Sequence, residues 1–520
     1  MLTLSPPLQL SLAAALLALL LYTLTRPSRP RPPGPAPKPL VGNVSDLPSG
    51  GHEWLGYIQL GRKYASDILY FTSLGTPLLV INSFQAAHDL LDRKGALYSD
   101  RPRFVMFNEL MRWDWNLLVM PYNKRFIAQR RIVQQEFQPA TVSRLYHPVI
   151  AREVCALLNR FLATPHVRPQ DMIDNVRQMT GAIIMMVTYG HQVTSPQDEY
   201  IKIAEAVPEH AERRPGVEIV DVLPILKYLP SWFPGASFQK HAAVGRQLSM
   251  GMRLLPFKMV KERMAAGNAV PCMATRLLAQ AHELATEGMD PDTFVMDVCG
   301  LVYSAGADTA IVAMRNCILA MMLFPDVQKR AQEELDRVIG RERLPTMADR
   351  PHLPYVSRLI KESLRWKAVS SLGVPHATLD SDEYRGYYIP KGTTVLANIY
   401  AMLHDESDYA DPDDFNPDRF LPTPDKPSGE PDPARAAFGF GRRVCPGRFF
   451  ADDTLFLTIA SLLHVFAISV PDDSESKETI RNVRWNSGLV SHPTPFPARF
   501  EPRFEGAPDL VHAAAAHWHI

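Results

Sequence analysis

The sequence predicts a mainly α domain with small β-sheets, preceded by an N-terminal transmembrane helix. Three observations predict it. The first 25 residues carry no charged side chain and are rich in Leu and Ala. A proline-free apolar stretch between Pro291 and Pro325 permits one very long helix. Only two short patches, near residues 67–82 and 374–399, read as β-structure.

Taken in order, residues 8–25 form an 18-residue apolar run, near the lower limit for crossing a bilayer core. Arg26, Arg29 and Arg31 follow it and no charge precedes it, so the positive-inside rule places the rest of the chain in the cytosol. A cleaved secretory signal is the competing reading. It wants a basic leading segment and an Ala-x-Ala type site, and neither is present. Residues 1–26 are therefore read as a membrane anchor. Seven of the thirteen residues 27–39 are proline, which makes that stretch a stiff, extended hinge. The segment DILYFTSLGTPLLVIN, 67–82, reads as a hairpin around Gly75. Asp290-Pro291 supplies a cap and a first-turn proline for the long helix. Helix returns over 448–466. Residues 40–505 show no hinge or composition shift and are read as one domain. Residues 506–520 are read as a loose tail, in which His512, His517 and His519 form at most a weak metal site.

Composition narrows the function. Lys+Arg and Asp+Glu are each 55, so the net charge is zero and nucleic acid is not an expected partner. The five cysteines, Cys155, Cys272, Cys299, Cys317 and Cys445, are odd in number and widely spaced, which predicts reduced thiols.

Chemistry concentrates at 438–448, FGFGRRVCPGR. Gly439 and Gly441 permit tight turns. Pro446 suits a first helical turn, which would put Cys445 at a helix N-terminus that favours thiolate. A thiolate there is a metal ligand or a nucleophile. Val444 stands where a dinucleotide loop needs its third glycine, C-x-x-C-H is absent, and no nearby Cys or His completes a zinc site.

The pattern Phe438-x-x-Gly441-x-Arg443-x-Cys445-x-Gly447 resembles the haem signature of the cytochrome P-450 monooxygenases. The resemblance implies the cytochrome P-450 fold, haem b as cofactor, and Cys445 as axial ligand to its iron, a thiolate that favours O–O cleavage. Gly447 is then the residue that lets the next helix approach the porphyrin, and Arg443 pairs with a propionate. Further matches follow. Glu362-x-x-Arg365 with Arg419 of Asn416-Pro-Asp-Arg419-Phe resembles the family's buried charge network, whereas Glu334-x-x-Arg337 is a surface decoy. Ala305-Gly306-Ala307-Asp308-Thr309 resembles the oxygen-activation segment. Carried over, Thr309 acts in oxygen activation, Asp308 relays protons, and Ala305 and Gly306 leave room beside the haem. Thr309 is expected to bond back to the carbonyl of Ala305 and open the helix. Tyr122 to Arg131 resembles the helix that reaches the propionates: Arg130 matches, while Phe126 stands for the usual Trp and Asn123 for the usual Gly. His376 is a further propionate contact, with a satisfied surface histidine as the bland reading.

No flavin or nicotinamide motif is present. The resemblance therefore implies a separate NADPH–cytochrome P-450 reductase, docking on Arg442, Arg448, Lys124, Arg125 and Arg131, and residence in the endoplasmic reticulum membrane with a single pass. Regions matching the family's pocket walls point to Phe104, Phe107, Val302, Ser304, Val369, Leu372 and Leu489, hence an apolar substrate. The run 374–405 resembles fungal microsomal members of secondary metabolism, which suggests a terpenoid or aromatic substrate. Two rivals remain: an O2-independent isomerase or dehydratase of the same haem-thiolate type, and a non-catalytic haem sensor.

Overall fold

Two residues with positive φ, Leu74 at 47° and Gly75 at 85°, close the expected hairpin. Turns of that type match the right-handed twist of flanking strands. The computed structural model describes residues 29–212, 219–285 and 288–519, so the proposed anchor at 1–26 lies outside the described residues. In chain order the strands are β1 (Ile68–Ser73), β2 (Thr76–Ile81), β3 (His166–Val167), β4 (His376–Ala377), β5 (Asp382–Tyr384), β6 (Tyr387–Ile389), β7 (Thr394–Ala397), β8 (Phe466–Ser469) and β9 (Ala498–Pro502). They form sheets ordered β1-β2-β7-β4, β3-β9-β8 and β5-β6. The hairpin pairs antiparallel from Ile68↔Ile81 to Ser73↔Thr76, and β2 runs parallel to β7. Both expected β-patches thus meet in one sheet.

Helix makes up most of the rest. The helices that frame the site are α1 (Lys124–Glu136), α2 (His147–Ala163), α3 (Pro169–Tyr189), α4 (Glu199–Glu212), α5 (Ser237–Ala265), α6 (Pro291–Gly306), α7 (Thr309–Leu323), α8 (Pro354–Trp366), α9 (Arg448–Val465) and α10 (Ala507–His517). The long central helix is α6 and α7 together. Asp290 caps it by accepting from the Thr293 amide at 2.8 Å, with Pro291 in the first turn. Its apolar side chains, among them Val295, Val298, Ile311 and Leu319, are buried all round. Residues 291–323 are long and apolar enough to cross a membrane, yet they lie mostly inside the domain. Burial on every face explains the missing amphipathic stripe.

Two readings are corrected at the ends. The Pro-rich stretch, described from residue 29, is no free spacer but lies along the sheets. Pro30 O accepts from Tyr388 N at 2.7 Å and Pro33 O from Tyr70 N at 2.8 Å, while the Arg31 guanidinium stacks 4.8 Å from the Tyr388 ring. Proline removes donors and leaves carbonyls, and those carbonyls are what the strands use. The tail is not loose either: Ala507–His517 is a helix whose Ala507 and Val511 are fully buried against α2. Small residues at 507, 511 and 515 give it an apolar stripe that polar ends concealed.

Candidate active site

The Cys445 loop is pinned before any ligand is considered. Cys445 N donates to Phe438 O at 2.8 Å, closing the turn. Gly441 stands at φ +55°, and a Cβ there would lie 2.0 Å from Leu91 O, so only glycine fits. Its amide also donates to the Asp92 carboxylate. The helix after the loop starts at Arg448, with Gly447 as its cap, rather than at Pro446. Burial outweighs the helix-start electrostatics and holds the Cys445 thiol above its ordinary value, although the Gly447 N–H, Arg130 and Arg448 pull it down.

Around the loop lies a cluster of buried cations. Arg443 donates to Ser99 O at 2.8 Å, Leu117 O at 3.0 Å and Met120 O at 2.8 Å. Its guanidinium also lies 3.7 Å from the centroid of the Phe126 ring. Arg130 donates to Val444 O, and its Nε is buried without a partner. Arg101 donates to Leu118 O at 2.8 Å, Val374 O at 3.0 Å and Pro375 O at 2.7 Å. His376 Nδ1 bonds Tyr98 O at 2.8 Å, which leaves the imidazole beside Arg101 and Arg443. Burial draws Arg443 down to about 9, Arg130 to about 10 and His376 to about 3, with neighbouring cations adding to each. Two buried guanidiniums, Arg101 and Arg130, and the half-buried Arg443, with carbonyls for partners and Asp100 as the carboxylate that acts on Arg101 and Arg443, form a cradle for a dianion. Arg101 escaped the sequence reading, because nothing about Asp100-Arg101-Pro102 distinguishes it from a surface loop.

Phe126 and Asn123 have local explanations. Asn123 caps α1, its Oδ1 accepting from Phe126 N at 2.9 Å. Phe126 offers a ring face to Arg443 where an indole would offer an N–H.

On the other side of the site the central helix breaks at Ala307-Asp308, between α6 and α7. Thr309 Oγ1 donates to Ala305 O at 3.0 Å, as expected. Ala305 and Thr309, one turn apart, are exposed in a helix whose other faces are buried. They therefore line an internal opening. Gly306 does not: a Cβ there would lie 2.6 Å from Ile184 Cδ1, so its smallness serves the close crossing of α3. Asp308 bonds His492, Nε2 to Oδ2 at 3.1 Å.

The supposed pocket walls converge in part. Ser304 Oγ accepts from Asn116 Nδ2 at 2.9 Å, joining the central helix to the segment 104–116. Phe104 and Phe107 are half-buried, and Phe107 stacks on Trp113 at 5.1 Å. Ser491 N donates to Val369 O at 2.8 Å, joining the 369–374 and 486–492 segments, and Leu489 is exposed at that loop's tip. Val302 is core, and Leu372 packs in the small cluster of Tyr57, Leu69, Phe71 and Val80.

The charge network forms and is larger than expected. Arg365 Nε and Nη2 donate to Glu362 at 2.8 and 2.9 Å, and Arg419 Nε at 3.0 Å. Arg419 Nη1 also reaches Glu430 at 2.8 Å, a fourth member in the polar loop 421–433. The decoy Glu334 instead caps α8, accepting from Tyr355 N and Val356 N at 2.9 Å each.

Fold and site together define a mainly helical protein in which a central helix and a cysteine loop flank a cluster of cations with few anions beside them. The family model "Cytochrome P450" (cytochrome P-450) matches residues 32–500. A cytochrome P-450 monooxygenase of Postia placenta, numbered 208, is 39% identical over 96% of both chains. The monooxygenase ple1 of Rhodocybe pseudopiperita is 38% identical over 91% of this chain and 90% of its own. The monooxygenase claR of Ampulloclitocybe clavipes is also 38% identical, over 91% and 86%. The chain belongs to the cytochrome P-450 family and is an oxidoreductase of the monooxygenase type. The family implies haem b. The residues present fit it: a half-buried sulfur, cations short of anions, and an Arg130 Nε with no partner among the described residues.

Proposed function

We propose that this protein inserts one atom of O2 into an apolar small molecule, a terpenoid or aromatic secondary metabolite, with electrons from a separate membrane-bound NADPH reductase. The observation that carries the reading is the cluster of buried cations beside the Cys445 sulfur. Cys445 would hold the haem iron, and Arg101, Arg130, Arg443 and His376 its propionates. Bound there, a thiolate-ligated haem supplies the O2-activating redox chemistry. The chain's own residues do the rest. Thr309 holds the helix open by donating to Ala305 O, and the small Ala305 keeps the space beside it free. Asp308, at the helix break, relays protons inward. Phe104, Phe107 and Leu489 exclude water and orient an apolar substrate. The anchor at 1–26 would keep the domain at the cytosolic face of the endoplasmic reticulum, where apolar substrates partition.

Membranes containing this protein and a reductase, fed a panel of terpenes and aromatics, are expected to yield products carrying one added oxygen by mass spectrometry. Thr309→Ala is expected to lower that yield by roughly a hundredfold, as loss of proton-transfer machinery does. An equal yield from the variant removes Thr309 from the mechanism. The Asp308-Thr309 pair favours this reading over an O2-independent isomerase, and substrate-stimulated NADPH-dependent O2 uptake separates the two.

Reductase docking is assigned to a narrower face than the sequence implied. Arg125 is committed to the buried Asp297 at 2.6 Å, together with Arg253. Lys124, Arg131 and Arg442 are the exposed cations, with Ile127 exposed between the first two on α1. Reversing Lys124 and Arg131 to Glu is expected to slow reduction about tenfold at low salt and to flatten its ionic-strength dependence. Unchanged stopped-flow reduction rates contradict the assignment.

A further inference from the structure

His492 has no role in the mechanism above, yet it is the hydrogen-bond partner of the Asp308 carboxylate among the described residues. Its backbone is held twice by Asn486: His492 N donates to Asn486 Oδ1 at 2.8 Å, and Asn486 N to His492 O at 3.0 Å. Those bonds close the 486–492 loop, at whose tip Leu489 stands exposed. Just beyond, Arg315 of α7 donates to Pro493 O at 3.0 Å and Thr494 O at 3.2 Å, and Trp485 Nε1 donates to Asn316 Oδ1 at 3.0 Å. Both feet of the loop are therefore fixed to the central helix. The imidazole is the strut between the loop and the helix break.

We propose that His492 is a positioning residue, which orients the Asp308 carboxylate and ties that orientation to the substrate-side loop 486–492. The neighbourhood leaves the task to it. Arg177 and Glu205 line a cleft with Asp308 between α3, α4 and α7, but they bond each other at 2.7 Å. The charge of Arg315 reaches Asp308, but its Nη2 bonds go to the two carbonyls, so it does not fix the carboxylate's orientation. An Asp at a helix break has a freely turning carboxylate unless something holds it, and a misplaced proton donor loses most of its effect. A molecule pressing on Leu489 would thus be felt at Asp308 through one side chain.

The inference rests on the reading of Asp308 as proton relay, and the experiment separates the two. Full-length holoenzyme is compared with His492→Phe, His492→Gln and Asp308→Asn. Two quantities are read: amide hydrogen exchange across 486–492, and reductase-supported NADPH oxidation in H2O and D2O. His492→Phe is expected to speed loop exchange about tenfold, the effect of losing a hydrogen bond to a charged group. It is expected to slow NADPH oxidation by roughly tenfold or more and to enlarge the solvent isotope effect. His492→Gln keeps an N–H for Asp308 and is expected to restore both. Unchanged exchange in His492→Phe, or His492→Gln as impaired as His492→Phe, overturns the proposal. An Asp308→Asn enzyme that oxidises NADPH at the normal rate overturns the relay reading instead, and the tether is then judged on exchange alone.

Discussion

Glu362→Gln is expected to cost about 3–5 kcal/mol of stability, because it takes the paired carboxylate from buried Arg365 and leaves Arg419 with Glu430 alone. Glu362 is fully buried and accepts four bonds: two from Arg365, one from Arg419 Nε and one from Asn416 N at 2.9 Å. A carboxamide keeps one acceptor oxygen and turns an NH2 toward cations. Apart from the Arg419 bond to Glu430, the remaining Arg365 and Arg419 bonds go to carbonyls of 403–414, so the failure propagates into the segment that leads to the Cys445 loop. Urea unfolding and haem content per mole of protein report it, and both should fall together. Arg337→Ala is the matched control. That guanidinium lies 4.0 Å from Glu334 and is 74% exposed, so its loss should cost well under about 1 kcal/mol. Equal midpoints for Glu362→Gln and the control would show that the network is not what holds this half of the domain.

The second large effect is chemical rather than structural. Cys445→Ser is expected to abolish product formation while leaving the melting temperature of the haem-free protein within a few degrees. The loop's shape rests on backbone bonds and glycines: Cys445 N to Phe438 O, Gly441 against Leu91 O, and Arg130 to Val444 O. None of them uses the sulfur. A hydroxyl is a poor substitute for a thiolate in ligating and electron-donating power, so the reaction should stop although the site still forms. Substantial turnover by the Ser variant would remove the thiolate from the mechanism.

Local signals survived folding best. The Gly75 hairpin, the Asp290 cap and the Thr309 back-bond are each decided within a few residues, and each stands as read. What the sequence hid was long-range. Arg101 meets Val374 and Pro375 across more than 270 residues, and His492 reaches Asp308 across 184 positions. No periodicity records such pairings, because polar side chains on loops acquire their partners only when the chain closes. Gly306 shows the opposite error. Smallness beside a reaction site suggests room for a ligand, but the glycine is spent on Ile184 of a crossing helix. Burial on all sides likewise erased the amphipathic signal of the central helix, leaving length and proline spacing as its trace.

The central claim is that the Cys445 sulfur, deprotonated, ligates haem iron. Reducing the purified holoprotein with dithionite and adding carbon monoxide tests it most directly. The account predicts a Soret band displaced to the long-wavelength position that sulfur ligation produces, and its loss in Cys445→Ser. A band at the shorter wavelength of a nitrogen-ligated or unligated haem, in folded and haem-replete protein, would contradict it.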